Sequence, residues 1–423
     1  MRRFILLSLA CCLTFGIAAQ TAREEIQADI HRSASNYYAY PTPSGKLTAP
    51  PKGYKPFYLS HYARHGSRFL TSAKKYERPL GVLREAERLG TLTPLGKQTL
   101  SVVDSIARLA KERYGELTPL GARQHRGIAE RMYKNYPEVF RGNAAVDARS
   151  TVVIRCILSM TAECLTLQSL NPELRFTNDA SRYDMPYLNY QNARYDSLRR
   201  SPAVNAARKA FQRKHVHPER LMNALFNNPD YVRWKIDGTE LMSDLFEIAG
   251  NMQSHDTGLD LNPLFTEEER YGLWLTENYG WYLTFGPSPL NNEGRMPYVE
   301  ANLLRNILDT ADSCVVQERP GATLRFGHEV CVMPLACLLQ LGDCGYQTTD
   351  PELVAERWRN YRIFPMASNI QLVFYRKKGN DTVLVKFLLN EEEMTLPLSS
   401  DTAPYYPWEE VEAYYRKRLA EQQ

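Results

Sequence analysis

The chain has 423 residues, 43% of them apolar and 24% charged, which excludes disordered and fibrous classes and leaves room for two or three globular domains. The formal charge of +4 includes Arg2 and Arg3, so the remainder is near balance. That argues against a nucleic-acid partner held by bulk electrostatics, and any anionic partner has to be met by a local pocket.

Met1-Arg2-Arg3 ahead of the apolar run Phe4 to Ala19 reads as an export signal, with Ala18 and Ala19 marking cleavage before Gln20. The run is short for a membrane span. The expected destination is the periplasm or the medium, with a lipid-anchored form if Cys11 or Cys12 is acylated. Without residues 1–19 six cysteines remain, an even count that suits an oxidising compartment, with buried free thiols as the competing reading. Cys156 and Cys164 on one helix would stand roughly 12 Å apart, too far to bridge, and Cys331 with Cys337 meets the same objection. No Cys-x-x-Cys pair occurs, which disfavours a zinc ribbon.

Residues 20 to 55 are polar and Pro-rich around Tyr40-Pro41-Thr42-Pro43 and read as a surface lead-in. Phe57 to Tyr62 reads as a buried strand, followed by the loop Arg64-His65-Gly66-Ser67-Arg68 and a helix from near Phe69, a geometry that points backbone N–H groups at an anion. Leu92-Thr93-Pro94-Leu95-Gly96 recurs as Leu117-Thr118-Pro119-Leu120-Gly121. In each copy Thr is the cap and Pro the first residue of a helix. Ala144 to Ala148 is a second strand, and Arg149-Ser150-Thr151 opens the helix Val152 to Leu170. From 176 to 299 Tyr, Asn and Trp accumulate among helical pieces such as Ala203 to Lys214 and Gly238 to Ala249, so this stretch reads as a mostly helical insert. Beyond it come a helix Tyr298 to Ala311, a strand Thr323 to Phe326, Gly327-His328-Glu329 and the apolar helix Val330 to Leu341. A hairpin pairs Ile370, Leu372 and Phe374 with Val383, Val385 and Phe387. Strands alternating with helices predict an α/β three-layer sandwich around a mixed central sheet, built from 20–175 and 300–423, with residues 176–299 as a cap.

Two arginines, a histidine and a glycine in one short loop suit a phosphate dianion. With Thr71 they make five fixed residues at fixed spacing, Arg64, His65, Gly66, Arg68 and Thr71, which arise by chance in roughly one chain in 10⁴. Phosphoryl transfer to water through a covalent step needs a nucleophile, cations for the equatorial oxygens and an acid for the leaving alkoxide. His65 is the nucleophile, since neighbouring guanidinium groups keep its imidazole neutral. Arg64, Arg68, Arg149 and His328 bind the phosphate. Glu329 is the proton donor: a bound phosphate dianion raises its pKa, whereas a helix N-terminus lowers it. His61, on the same strand, reads as structural. His65, His328 and Glu329 lack a helical metal-binding spacing and sit among arginines, so neither metal nor other cofactor is expected.

At Arg64 to Thr71 the chain resembles the histidine phosphatase superfamily, whose signature is Arg-His-Gly-x-Arg-x-x-Thr, and His328-Glu329 resembles its acid phosphatase and phytase branch. Gly115 to Gly121 and Arg149-Ser150-Thr151 with Arg155 look like inner motifs of that branch. Ala367 to Val373 and Leu388 to Glu391 look like multiple inositol polyphosphate phosphatases. The resemblance implies an α/β domain with a helical cap, a phosphohistidine at His65, no metal, and phosphate held by Arg64, Arg68, Arg149 and His328. One departure is that the inositol polyphosphate phosphatases carry His-Ala-Glu and the acid phosphatases His-Asp, where this chain has His328-Glu329-Val330.

The expectation is an exported monomeric phosphomonoesterase acting on inositol hexakisphosphate or a related inositol polyphosphate, with Arg182, Arg194, Arg199 and Arg200 as basic groups of the cap. The alternatives are a broad acid phosphatase for sugar phosphates or nucleotides, and a phosphate-ester binding protein without turnover.

Overall fold

In the computed structural model, which describes residues 20–189, 192–317 and 320–421, the alternating apolar stretches join one mixed sheet. The expected leader, with Cys11 and Cys12, lies outside the described residues. The strands are β1 (Tyr54–Arg64), β2 (Ala145–Ser150), β3 (Arg175–Asp179), β4 (Gly321–Gly327), β5 (Asn369–Lys377), β6 (Asn380–Leu389), β7 (Glu392–Glu393) and β8 (Tyr406–Pro407). They are ordered β3-β2-β4-β1-β5-β6-β7, with β8 also paired to β6. The first four are mutually parallel, and β5 runs antiparallel to β1.

The sheet is covered on both faces at β1, which is buried without a break from Tyr58 to Arg64. Leu59 and Ala63 pack with Ile128 and Met132 of the Pro119–Asn135 helix and with Cys156 and Leu167 of the Ile154–Leu170 helix. Tyr58 and Tyr62 face Leu304 and Ile307 of the Ala301–Val316 helix and Val332 of the Glu329–Leu338 helix. Helices, sheet and helices are the three layers expected. The hairpin sets Leu372 opposite Phe387 and Phe374 opposite Val385. Its turn holds Gly379 at φ 75°, a left-handed conformation that favours glycine.

The repeated Leu-Thr-Pro-Leu-Gly is a docking device as well as a helix start. Thr93 and Thr118 cap through Oγ1, accepting from Gly96 N at 3.0 Å and Gly121 N at 3.2 Å. Each Gly leaves room for a foreign backbone carbonyl. A Cβ on Gly96 would lie 2.2 Å from Leu225 O, and one on Gly121 2.3 Å from Ser67 O. The first copy thus seats a cap helix and the second seats the loop after β1.

Three expectations change. Residues 20 to 55 are not only a surface lead-in: Glu25 is buried and accepts from Arg359 Nη1 at 2.9 Å and Tyr361 Oη at 2.7 Å, and a 3-10 helix spans Ile30–Tyr37. The sheet runs on through β3, past the expected boundary at 176. The helical cluster is not confined to the insert, because Leu80, Leu83, Leu100 and Val103 of the Lys74–Arg88 and Pro94–Ala110 helices share a core with Leu241, Leu245 and Ile248. The six cysteines from Cys156 to Cys344 are free thiols, all but Cys314 buried. Among the described residues no helix is long and apolar enough to cross a membrane.

Candidate active site

Arg64 pairs in register with Gly327, and Ser150 with Phe326, so His65, His328 and Thr151 leave the sheet side by side at the carboxyl ends of three parallel strands. Open α/β sheets bind ligands at this edge. The loop after β1 is pinned to the two helices behind it. Gly66 N donates to Ser159 Oγ at 3.1 Å, Ser67 N to Gln124 Oε1 at 2.9 Å, and Gln124 Nε2 to Ser67 Oγ at 3.0 Å. Phe69 N is taken by Glu116 O and Leu70 N by Tyr76 Oη. The following helix starts at Lys74, not near Phe69. The amides of Gly66, Ser67, Phe69 and Leu70 are therefore already taken, and the helix after the loop does not start at the site as expected.

His65 is buried, with Nδ1 2.9 Å from Gly66 O. A carbonyl only accepts, so Nδ1 carries the proton and Nε2 the lone pair, which faces the site without a hydrogen bond. Arg64 donates from Nη1 to Asn36 O at 2.7 Å and Phe364 O at 2.9 Å, leaving Nε and Nη2 without hydrogen bonds. Arg68 donates to Phe69 O at 2.9 Å and lies over the Tyr37 ring, 5.4 Å from its centroid. The His328 ring is 5.7 Å from that of His65, and its Nε2 is 3.4 Å from Thr151 Oγ1. Glu329 places Oε2 3.2 Å from Arg64 Nε and 3.6 Å from His65 Nε2, with Oε1 4.0 Å from Arg68 Nη2. Its carboxylate thus pairs with both guanidinium groups that face the site.

Arg149 is not part of this group. It stands in the row of Arg325 and Tyr62, two residues short of the Arg64 row, and bonds sideways to Asp147 at 2.9 Å and Asp179 at 3.1 Å, with Asp184 at 3.9 Å. Two residues of strand set it roughly 7 Å back from the edge, and neighbouring carboxylates already neutralise it. The cation near His65 is Arg155, in the first turn of the next helix. Sequence reading singled out Arg155 only as part of a motif. The usable signal was its place one turn into a helix that starts at a strand end.

Burial first, then Arg64, Arg155 and Arg68, holds His65 well below the usual imidazole range, which favours the neutral ring. Burial also lowers His328, to about 4, with Glu329 opposing and the arginines assisting. Burial pushes the Glu329 carboxyl up, but Arg64 and Arg68 outweigh it and bring it to about 2. The free site thus holds a carboxylate among guanidinium groups. His65, His328 and Glu329 present ligand atoms within 4.8 Å of one another, the one such trio among the described residues. Arg64, Arg68 and Arg155 around it repel a metal cation, so the donor set suits an anion.

A cavity of about 860 Å³ lies beside the cluster; none of the cluster side chains lines it, but its wall includes Asn36 and Tyr37, which contact Arg64 and Arg68, and Val330, next to Glu329. Its walls carry Lys75, Arg78, Arg199, Arg200 and Arg208, and against them Asp196, Asp244, Glu247, Glu277 and Glu300. Of the four cap arginines expected, Arg199 and Arg200 line it and Arg182 and Arg194 do not.

The profile of the histidine phosphatase superfamily (branch 2) matches residues 62–390. A curated relative, multiple inositol polyphosphate phosphatase 1 of Gallus gallus, is 22% identical over 408 residues, covering 87% of this chain and 83% of its own. Among solved structures, the Bifidobacterium longum multiple inositol polyphosphate phosphatase in complex with inositol hexasulfate superposes with a TM-score of 0.77 at 18% identity, covering 91% of this chain and 97% of that one. The D. castellii phytase gives a TM-score of 0.66 at 16% identity, covering 93% and 86%. At these identities the superpositions speak for the fold, a sandwich with a helical cap.

Proposed function

The chain belongs to branch 2 of the histidine phosphatase superfamily, and from that premise we propose that it hydrolyses phosphate monoesters of inositol polyphosphates, inositol hexakisphosphate among them, through a phosphohistidine at His65. The observation that carries this reading is the His65 imidazole, its Nδ1 proton fixed on Gly66 O and its Nε2 lone pair aimed into a ring of guanidinium groups. Arg64, Arg68, Arg155 and His328 hold the phosphate oxygens, displacing the Glu329 carboxylate from Arg64 and Arg68. Beside a phosphate dianion Glu329 moves back towards its protonated form. The Nε2–P bond forms as the ester P–O bond breaks, and the leaving oxygen takes the Glu329 proton. Water then attacks phosphorus, the carboxylate accepts its proton, and the N–P bond breaks to release inorganic phosphate.

The large cleft with Lys75, Arg199, Arg200 and Arg208 supports a substrate carrying further phosphates. One observation favours a second reading, a broad phosphatase for less charged sugar phosphates or nucleotides: in the free cleft Lys75 is paired with Glu247, Arg78 with Asp244 and Arg199 with Asp196. Chromatography of partly dephosphorylated products from phytate, beside an activity panel of monoesters, separates the two. The nucleophile is tested by quenching turnover in alkali, where phosphohistidine survives. The wild type should retain labelled phosphate that acid removes and His65→Ala should retain none, whereas equal labelling of the two would refute the assignment.

A further inference from the structure

Behind the catalytic loop, on the opposite side from the cleft, three ionisable side chains meet with no solvent contact. Glu163 Oε1 is 2.6 Å from His125 Nδ1, and Glu163 Oε2 is 3.6 Å from His61 Nε2. The three come from three elements: His61 from β1, three residues before Arg64; His125 from the Pro119–Asn135 helix; Glu163 from the Ile154–Leu170 helix. Burial raises the Glu163 carboxyl, but His61 and His125 outweigh it and lower it, which favours a carboxylate hydrogen-bonded to His125 and facing His61.

A buried ionic cluster is a poor way to gain stability, since apolar side chains of similar volume fill the same space without the desolvation cost. What such a cluster does supply is a fixed register, and here the register is that of the catalytic loop. On the Ile154–Leu170 helix Arg155, Ser159 and Glu163 recur every fourth residue and so share a face. Ser159 Oγ donates to Arg155 O at 2.8 Å and accepts from Gly66 N at 3.1 Å. On the other helix Gln124, adjacent to His125, holds Ser67 N. Both bonds that anchor the residues after His65 therefore run to helices that the clasp ties to β1.

We infer that Glu163 is a positioning residue for the phosphoryl transfer proposed above: clasped by His61 and His125, it sets the Ile154–Leu170 helix against β1 so that Ser159 holds the Gly66 amide and Arg155 faces the phosphate. The inference rests on His65 being the nucleophile. It adds that the aim of His65 and the reach of Arg155 are set from a site that touches neither substrate nor reacting atoms. His61 makes no hydrogen bond to Glu163 and is drawn to it by charge alone across 3.6 Å, so an amide at 163, which still accepts from His125, removes the attraction between this helix and β1.

The test uses the full chain carrying Glu163→Gln, assayed well below its melting temperature for kcat and KM on an aryl phosphate and for inhibition by vanadate, which copies the five-coordinate transition state. A misplacement of the order of 1 Å costs about 10²-fold in rate. The expected result is a fall in kcat of that order, a matching loss of vanadate affinity and a KM near the wild-type value. A lowered melting temperature with kcat and vanadate inhibition intact would reduce the clasp to packing and overturn the inference. If Glu163→Gln does not fold, Ser159→Ala takes its place: it removes the hydroxyl on Gly66 N and leaves the clasp, and wild-type kcat in it overturns the inference equally. Where both fold, the double variant should lose less than the product of the single losses, because both act through one bond, and independent losses contradict that route. Absence of phosphoenzyme in the wild type is a different outcome, and it removes the phosphohistidine reading itself.

Discussion

Arg155 and Arg149 make opposite predictions on side chains six residues apart. Arg155 is half-buried near His65, its Nε without a hydrogen bond, and burial together with Arg68 lowers its pKa. Replacing it by Ala removes a charge-assisted hydrogen bond to phosphate, worth about 1.5–3 kcal/mol, or roughly 10- to 150-fold in kcat/KM. If its contact tightens in the transition state, the loss approaches about 10³-fold. Folding should not suffer, because the variant also loses a desolvated cation held against Arg68. Arg149→Ala breaks surface pairs with Asp147 and Asp179, worth about 1 kcal/mol or less, and touches nothing in the cluster. The assay is kcat/KM on an aryl phosphate, the inhibition constant of inorganic phosphate and the melting temperature, for both variants. Arg155→Ala should lose activity and phosphate affinity with its melting temperature unchanged or raised, and Arg149→Ala should match the wild type in turnover. An equal loss in the two variants, or full activity in Arg155→Ala, would show that the cation ring has been drawn from the wrong residues.

The contact between Gly66 and Gly121 is equally exposed to test. A Cβ on Gly66 would lie 2.4 Å from Gly121 O, so Gly66→Ala must push the loop off the helix start, at about 1–3 kcal/mol of overpacking, and should cut kcat while lowering the melting temperature; an unperturbed variant would mean that the loop is not seated there. Burial raises Glu300, in the cleft wall, to about 8, with Cys331 and Arg199 opposing. The cleft therefore gains a negative charge as pH passes 8, so KM for an anionic ester should climb above that pH and the climb should vanish in Glu300→Gln. The same climb in both proteins would assign it to another group. Because the Glu300 carboxyl is raised in the folded state, its ionisation favours unfolding as pH rises from the ordinary value of 4.5 towards 8. Glu300→Gln should accordingly melt higher than the wild type at pH 8 and by less at pH 4, and a difference that does not change with pH would place its origin elsewhere.

Those parts of the fold that are encoded locally were legible in the sequence. Thr-Pro at 93 and 118 announced helices through capping chemistry, the hairpin announced itself by alternation, and the loop Arg64 to Arg68 by residue type at fixed spacing. Elements that depend on distant chain were not. β3 reads Arg-Phe-Thr-Asn-Asp with one apolar residue, a largely exposed edge strand with no alternation to find. The 3-10 helix Ile30–Tyr37 matters because Asn36 offers a backbone carbonyl to Arg64, a contact no side-chain pattern signals. The two halves of the helical cluster carry the same kind of amphipathic pattern, so the pattern cannot say which helices pack together.

For the site, the exchange of Arg149 for Arg155 shows what a sequence motif leaves open. Arg149 lies near the end of β2 and Arg155 just beyond it, and choosing between them requires the strand's register, which is set by β4 rather than by residues near the motif. The helix that follows did contain a usable sign. In a run read as apolar from Val152 to Leu170, Arg155, Ser159 and Glu163 recur at four-residue intervals, and a polar stripe on a helix otherwise suited to burial must find polar partners inside the protein. Its partners are the charged cluster of Arg68 and Glu329, the amide after His65 and a pair of imidazoles, in order along the helix from the sheet edge inward. That order gives the stripe a physical sense under the proposed reaction: the buried end fixes the helix, and the other end faces the proposed phosphate.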